Sequence, residues 1–270
     1  MTRPFLSLGR AFALAFVFLL ASSLSVRAQQ PSATPSPEQI KVGNPNVDGS
    51  FLKPYKNAWK IVYEFPGKEP FLVGMWTDEL EEIQINGRHL LKRTQRADYA
   101  KYNIVSTYVN VFDPKTMAPV YMDFRRSDTG EWAHRDFEGV QVEVKRGNST
   151  GDAKAKKDQL QMQEPVFDYN GGMYGVLLAA LPLKEGFRAT LPSLSEDRDE
   201  FDTVTVSVGK PEMVDAGPGK QLMAWPIDTE ANYQNKSHSI FWVTKEPPYV
   251  IKLVTIIPTG KWVKVTISMI

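Results

Sequence analysis

Three histidines, one acidic run and a scatter of aromatic rings are the groups in this chain whose chemistry could define a function. Histidine is the natural general base of a hydrolase, but it works only beside a nucleophile and an orienting acid. His89 follows a turn, between Arg88 and Leu90; His134 follows Trp132-Ala133; His238 lies between Ser237 and Ser239. No Gly-x-Ser-x-Gly elbow, His-Glu-x-x-His pair or phosphate-cradling glycine loop accompanies them. The expectation is structural or surface roles for all three, with no catalytic residue, no cofactor and no metal, and with an unrecognised hydrolase ranked last among functions.

The acidic run Glu196-Asp197-Arg198-Asp199-Glu200, followed by Asp202, offers oxygen ligands for calcium. It lacks the set spacing and central glycine of a calcium-binding loop, so it reads as a solvated turn between two strands. The basic cluster Lys154, Lys156 and Lys157 reads as a solvated face of a polar connection spanning 148–163. Aromatic residues hold more promise. Trp76, Trp132, Trp225, Trp242 and Tyr249 are the candidates for lining a ligand site. The competing reading is that such rings fill the core. Around Trp242, Ile240 shares its face while Phe241 and Val243 take the other, so that strand is apolar on both sides.

The elements that must position these residues are mainly strands. Trp59, Ile61, Tyr63 and Phe65 alternate with Ala58, Lys60, Val62 and Glu64, the period-two pattern of a strand with one packed face. Similar segments are predicted over 71–76, 80–85, 88–95, 102–112, 120–126 and 140–145, then over 187–191, 201–208, 221–227, 238–244, 250–257 and 261–269. Asn86-Gly87 is the strongest hairpin signal. Short strands joined by tight turns predict an antiparallel meander, since parallel neighbours need long crossovers. The segment 169–181 is apolar on most sides, which predicts a helix buried against the sheet, with Asp168 as its cap and Pro182 as its stop.

Residues 1–28 read as a signal peptide: Arg3 and Arg10 start it, an apolar run follows over 11–24, and Val26-Arg27-Ala28 offers a cleavage site. The run is shorter than the ~20 apolar residues that span a bilayer, so no transmembrane anchor is expected after cleavage. The protein is therefore expected outside the cytoplasm, in a periplasm or secreted. Residues 29–50, rich in Pro, Ser and Thr, read as a flexible lead-in, and 51–270 as a single mainly-β domain, with 51–147 and 164–270 as alternative subdomains. Cleavage removes three arginines and no acid, which turns the formal +1 of the whole chain into −2. Such a balance excludes a dedicated nucleic-acid binder, and the absence of cysteine excludes disulfides and thiol chemistry.

From about Pro165 onward the chain resembles the exported bacterial family known as domain of unknown function 3108. The matching features are Pro165-Val166-Phe167-Asp168, Leu181-Pro182-Leu183 with Gly186, Val206-Ser207-Val208-Gly209, Ala216-Gly217-Pro218-Gly219, and Phe241-Trp242-Val243 before Pro247-Pro248. The resemblance implies a curved, half-barrel-like antiparallel sheet with its helix on the concave side, a shape similar to that of periplasmic lipoprotein carriers. Shared shape does not carry function with it. The leading expectation is a non-enzymatic protein holding a lipid or lipoprotein acyl chain in the hollow of the sheet. The alternative is a cell-envelope module that binds another protein or a polysaccharide.

Overall fold

The computed structural model describes residues 36–148, 156–195, 199–231, 238–257 and 263–270. The first run of strands is β1 (Glu38–Gln39), β2 (Tyr55–Glu64), β3 (Phe71–Ile85), β4 (Arg88–Tyr99), β5 (Ile104–Phe112), β6 (Pro119–Arg126), β7 (Trp132–Glu138), β8 (Gln141–Gly147) and β9 (Lys156–Gln161). A π-type turn (Tyr169–Met173) leads into helix α1 (Tyr174–Ala180). The second run is β10 (Arg188–Ser195), β11 (Glu200–Val208), β12 (Glu212–Asp215), β13 (Gln221–Ala231), β14 (His238–Val243), β15 (Val250–Ile257) and β16 (Val263–Met269). The segment 1–28, expected from its sequence to be a signal peptide, lies outside the described residues. Among those described, no helix is long and apolar enough to cross a membrane.

All strands belong to one sheet, in the order β1-β10-β11-β13-β14-β15-β16-β2-β3-β4-β5-β6-β7-β8-β9, with β12 paired to β13 off this path. Each half is an antiparallel meander, and the β16–β2 ladder, from Met269 against Trp59 to Lys264 against Glu64, stitches the halves into one surface. The segments 51–147 and 164–270, read from the sequence as alternative subdomains, thus share one sheet. At the Asn86-Gly87 turn both residues take positive φ (50° and 76°), the backbone that a two-residue hairpin demands.

Several expectations need correction. The segments 71–76 and 80–85 form one strand, because the polar interruption at Asp78 faces inward and is satisfied there. β7 was not anticipated, since its inward position carries Arg135 rather than an apolar residue. Part of the polar connection over 148–163 is the edge strand β9, whose Lys156 and Lys157 pair with Asp158 and Glu143. Lys154 lies outside the described residues. Of the lead-in over 29–50, residues from 36 onward are anchored: β1 runs parallel to β10, and Ile40 and Val47 are buried in the main core together with Leu52.

From β9, at one edge, the chain crosses the hollow and returns to the sheet at β10, beside the other edge. The crossing segment plugs the concave side. Val176, Leu177, Leu178 and Ala179 of α1 are wholly buried in the main apolar cluster. Burial of each larger side chain is worth ~1.5–3 kcal/mol, which outweighs the poor helix propensity of Gly172 and Gly175. Asp168 makes no side-chain cap, contrary to the expected role. At the other end, Lys245 Nζ donates to the carbonyls of Ala179 (2.5 Å) and Leu181 (3.0 Å), a cation where the helix dipole favours one.

The sheet curls until its ends approach. Val142 and Val144 of β8 pack with Met162, Val166 and Leu194 in a second apolar cluster. Arg135 of β7 and Arg146 of β8 both pair with Asp199 at the β10–β11 turn, the former at 2.9 Å. Among the described residues no ladder joins β9 to β1 or β10; side chains close this seam, together with one backbone bond from Phe167 N–H to the Pro192 carbonyl (2.9 Å).

Candidate functional site

The inner wall of the N-terminal meander carries an unusual row. Arg93, Asn110, Met122 and Arg135 are register neighbours on β4, β5, β6 and β7, and all four are buried. Each polar member reaches across the hollow. Arg93 donates to Asp78 through Nε (2.9 Å) and Nη2 (2.5 Å), and through Nη1 to the Gly172 carbonyl (2.6 Å). With its amide turned to the orientation that satisfies its neighbours, Gln95 donates to that carbonyl (2.8 Å) and accepts from Arg93 Nη2 (3.1 Å). Asn110 donates to Asp168 (2.5 Å), and Arg135 holds Asp199. The Tyr55 hydroxyl completes the Asp78 shell at 2.8 Å, and burial pushes its pKa well up.

This row clamps the plug; it does not frame a pocket. The space left beside it, lined by Trp59, Trp76, Asp78, Arg93, Gln95 and Tyr174 among others, is about 20 Å³. That volume fits about one water molecule and no acyl chain. Trp76 meets Tyr174 edge to face across it, with ring centroids 6.0 Å apart.

A second concavity lies on the outer face. β13 is split lengthwise: Ile227–Ala231 pairs with β11, whereas Gln221–Ala224 pairs with β12. The β12–β13 flap leaves the main sheet and lies over the outside of β15, where Val214, Ala216 and Ala224 pack on Ile251 in a third small cluster. Between the flap and the outward residues of β2, β15 and β16 runs a groove of about 1,300 Å³. Its apolar lining includes Val62, Pro70, Met213, Pro218 and Met269; its charged lining is Lys60, Lys220 and Lys252 with Glu64, Glu212 and Asp215. Trp242 stands on its wall, donates to Glu212 (2.6 Å), and has Lys252 Nζ 4.7 Å from its ring centroid.

The five aromatic candidates do not converge. Trp76 borders the small interior space and Trp242 lines the outer groove. Trp225 packs against the main core, and Trp132 is half-buried on β7, its indole against Gly147. Tyr249 is fully buried between Phe51 and Tyr55, its hydroxyl accepting from the Lys53 backbone N–H (2.7 Å). The histidines face carboxylates: His89 faces Glu82 (3.5 Å), His238 faces Asp228 (2.8 Å), and His134 stands between Asp123 (2.8 Å) and Asp136 (3.0 Å). Hydrogen bonding to Asp123, aided by Asp136, raises the His134 pKa. The acidic run is not a solvated turn throughout, for Asp199 and Asp202 are buried; Glu196, Asp197 and Arg198 lie outside the described residues.

Sequence patterns missed two sets of residues: the inward row, and the groove lysines Lys60 and Lys252. Arg93 and Gln95 sit at inward positions between Leu91 and Ala97, so a charged residue within an apolar alternation was the available signal.

A strongly curled antiparallel sheet, plugged by its own crossing segment and carrying a grooved outer face, defines a barrel-like protein whose hollow is a core. The family model described as "Protein of unknown function (DUF3108)" matches residues 61–268, and the chain belongs to that family. Among solved structures it is similar to a beta-barrel-like protein of domain of unknown function DUF1849 from Brucella abortus, at 14% identity over 81% of this chain and 96% of that one, with a TM-score of 0.50. That likeness concerns the fold alone. No curated protein matches the chain.

Proposed function

We propose that the protein is an exported, non-catalytic binding protein of the bacterial envelope, and that its amphipathic ligand lies in the outer groove rather than in the hollow. The observation that carries this reading is the contrast in free space: about 20 Å³ inside against about 1,300 Å³ outside. Pockets for small molecules occupy roughly 300–1,000 Å³, so of these two spaces it is the outer groove that has room. A lipid or lipoprotein acyl chain in the hollow would have to displace α1 and lose its burial. Export is supported by the leader pattern of residues 1–28.

Native mass spectrometry of protein purified from its own envelope tests the reading. An amphiphile adduct is expected on the wild type and on a Tyr174→Phe variant, and its loss is expected in Met213→Glu, which puts a charge on the groove wall. Absence of any adduct on the wild type refutes the proposal. A second reading, docking of an envelope protein or polysaccharide, draws on exposed Leu72 (58%) and Met223 (55%). It predicts co-purification that Leu72→Glu abolishes.

A further inference from the structure

The two walls of the outer groove differ in charge: the sheet side carries Lys60 and Lys252 with Glu64, whereas the flap side carries Lys220 with Glu212 and Asp215, whose bonds to neutral donors leave their charges in place. Glu64 is held by Lys264 (2.9 Å), Glu212 accepts from the Trp242 indole (2.6 Å), and Asp215 accepts from Gln221 (3.1 Å). Lys60 and Lys252 have no acidic partner among the described residues. Register explains why. Along one outward row Trp242 stands opposite Lys252, Lys252 opposite Ser268, Ser268 opposite Lys60, and Lys60 opposite Met75. No carboxylate is a lateral neighbour of either lysine. Two interstrand steps of ~4.8 Å set their backbones about 10 Å apart on the same face, a span that two flexible lysine side chains can close around one head group. The Lys252 ammonium already stands over the Trp242 ring on the groove wall.

We infer that Lys60 and Lys252 form a head-group subsite and that the occupant of the groove is a single-chain amphiphile with an anionic head. This rests on the reading of the groove as the binding site. The two lysines supply the positive charge of the sheet-side wall, and Val62, Met213, Pro218 and Met269 supply the surface for the chain. A free anion would leave that apolar lining unused, and a neutral amphiphile would leave the cations unmatched.

Calorimetric titration of the full chain with monododecyl phosphate, dodecyl maltoside and inorganic phosphate, each below micelle formation, tests the inference. Monododecyl phosphate is expected to bind roughly tenfold more tightly than the maltoside, and inorganic phosphate to bind far more weakly than either. Lys60→Gln with Lys252→Gln should remove that advantage, about three- to fivefold per lysine, with a much smaller change in maltoside affinity. Restoration by Lys60→Arg with Lys252→Arg would separate charge from local structure. Equal affinity for the two detergents, unmoved by the glutamines, overturns the inference and leaves the groove standing. Inorganic phosphate binding as tightly as monododecyl phosphate also overturns it. If neither detergent binds, the groove reading fails and takes the subsite with it.

Discussion

Replacing Arg93 by methionine should be among the most damaging single changes in the interior. The guanidinium is 1% exposed, spans both oxygens of Asp78, and anchors the π-type turn through the Gly172 carbonyl. Methionine fills similar volume but leaves the Asp78 carboxylate buried with the Tyr55 hydroxyl as its remaining side-chain donor. Stranding one partner of a buried ion pair costs ~3–5 kcal/mol. For a chain of this size each kcal/mol moves Tm by roughly 2–4 °C, so a fall of ~6–20 °C is expected. The double variant Asp78→Leu with Arg93→Met removes both charges, and should recover most of the loss, short of ~1 kcal/mol each for the Tyr55 hydroxyl and the Gly172 carbonyl. Thermal and urea melts of the wild type, the two single variants and the double variant close the cycle. An Arg93→Met cost below ~1 kcal/mol, or a double variant no better than the single, would refute the argument that this pair clamps the plug.

Gly172→Ala should destabilise by ~1–3 kcal/mol in chemical denaturation, because Gly172 has φ +112° and a Cβ there would lie 2.6 Å from Asn110 Oδ1. Leu177→Asp should abolish soluble expression, since the side chain is wholly buried. His134 has its folded pKa above the ordinary 6.5, so its stabilisation is full below that value and is lost as pH rises through the folded pKa. Being half-buried, it is worth less than ~1 kcal/mol, and His134→Gln should flatten that part of a stability–pH curve measured from pH 5 to 8. Arg135→Met should speed amide exchange in β10 and β11 selectively, because it removes one of the two arginines that hold Asp199 at the seam.

How much of this was legible differed by kind of element. Val204, Val206 and Val208 alternate cleanly with polar neighbours, and β11 emerged where the pattern put it. The helix was legible because residues apolar all round can be satisfied only by burial. The inward row was not, since period two puts Arg93 and Gln95 on the face of Leu91 and Ala97 while their polarity argues for solvent, and no local pattern shows that a plug will offer them partners. β9 and β12 were hidden by polarity and shortness. The groove was invisible for a topological reason: it exists because β13 serves β11 with one end and β12 with the other, and no local pattern reports a strand that leaves its sheet midway. Lys60 could be read as outward-facing, but its lack of an acidic neighbour depends on Ser268 arriving beside it from the far end of the chain.

That late arrival shapes how the molecule must be made. Glu64 waits for Lys264, 200 residues downstream, so one flank of β2 keeps its hydrogen-bonding groups unmet while nearly everything else is being synthesised. Loop closure over such a distance is slow, and an unmatched strand flank invites pairing with a neighbouring molecule. Assembly of the sheet is therefore completed at its own middle, and a chaperone that shields Tyr55–Glu64 until Val263–Met269 docks would raise the yield of folded chain.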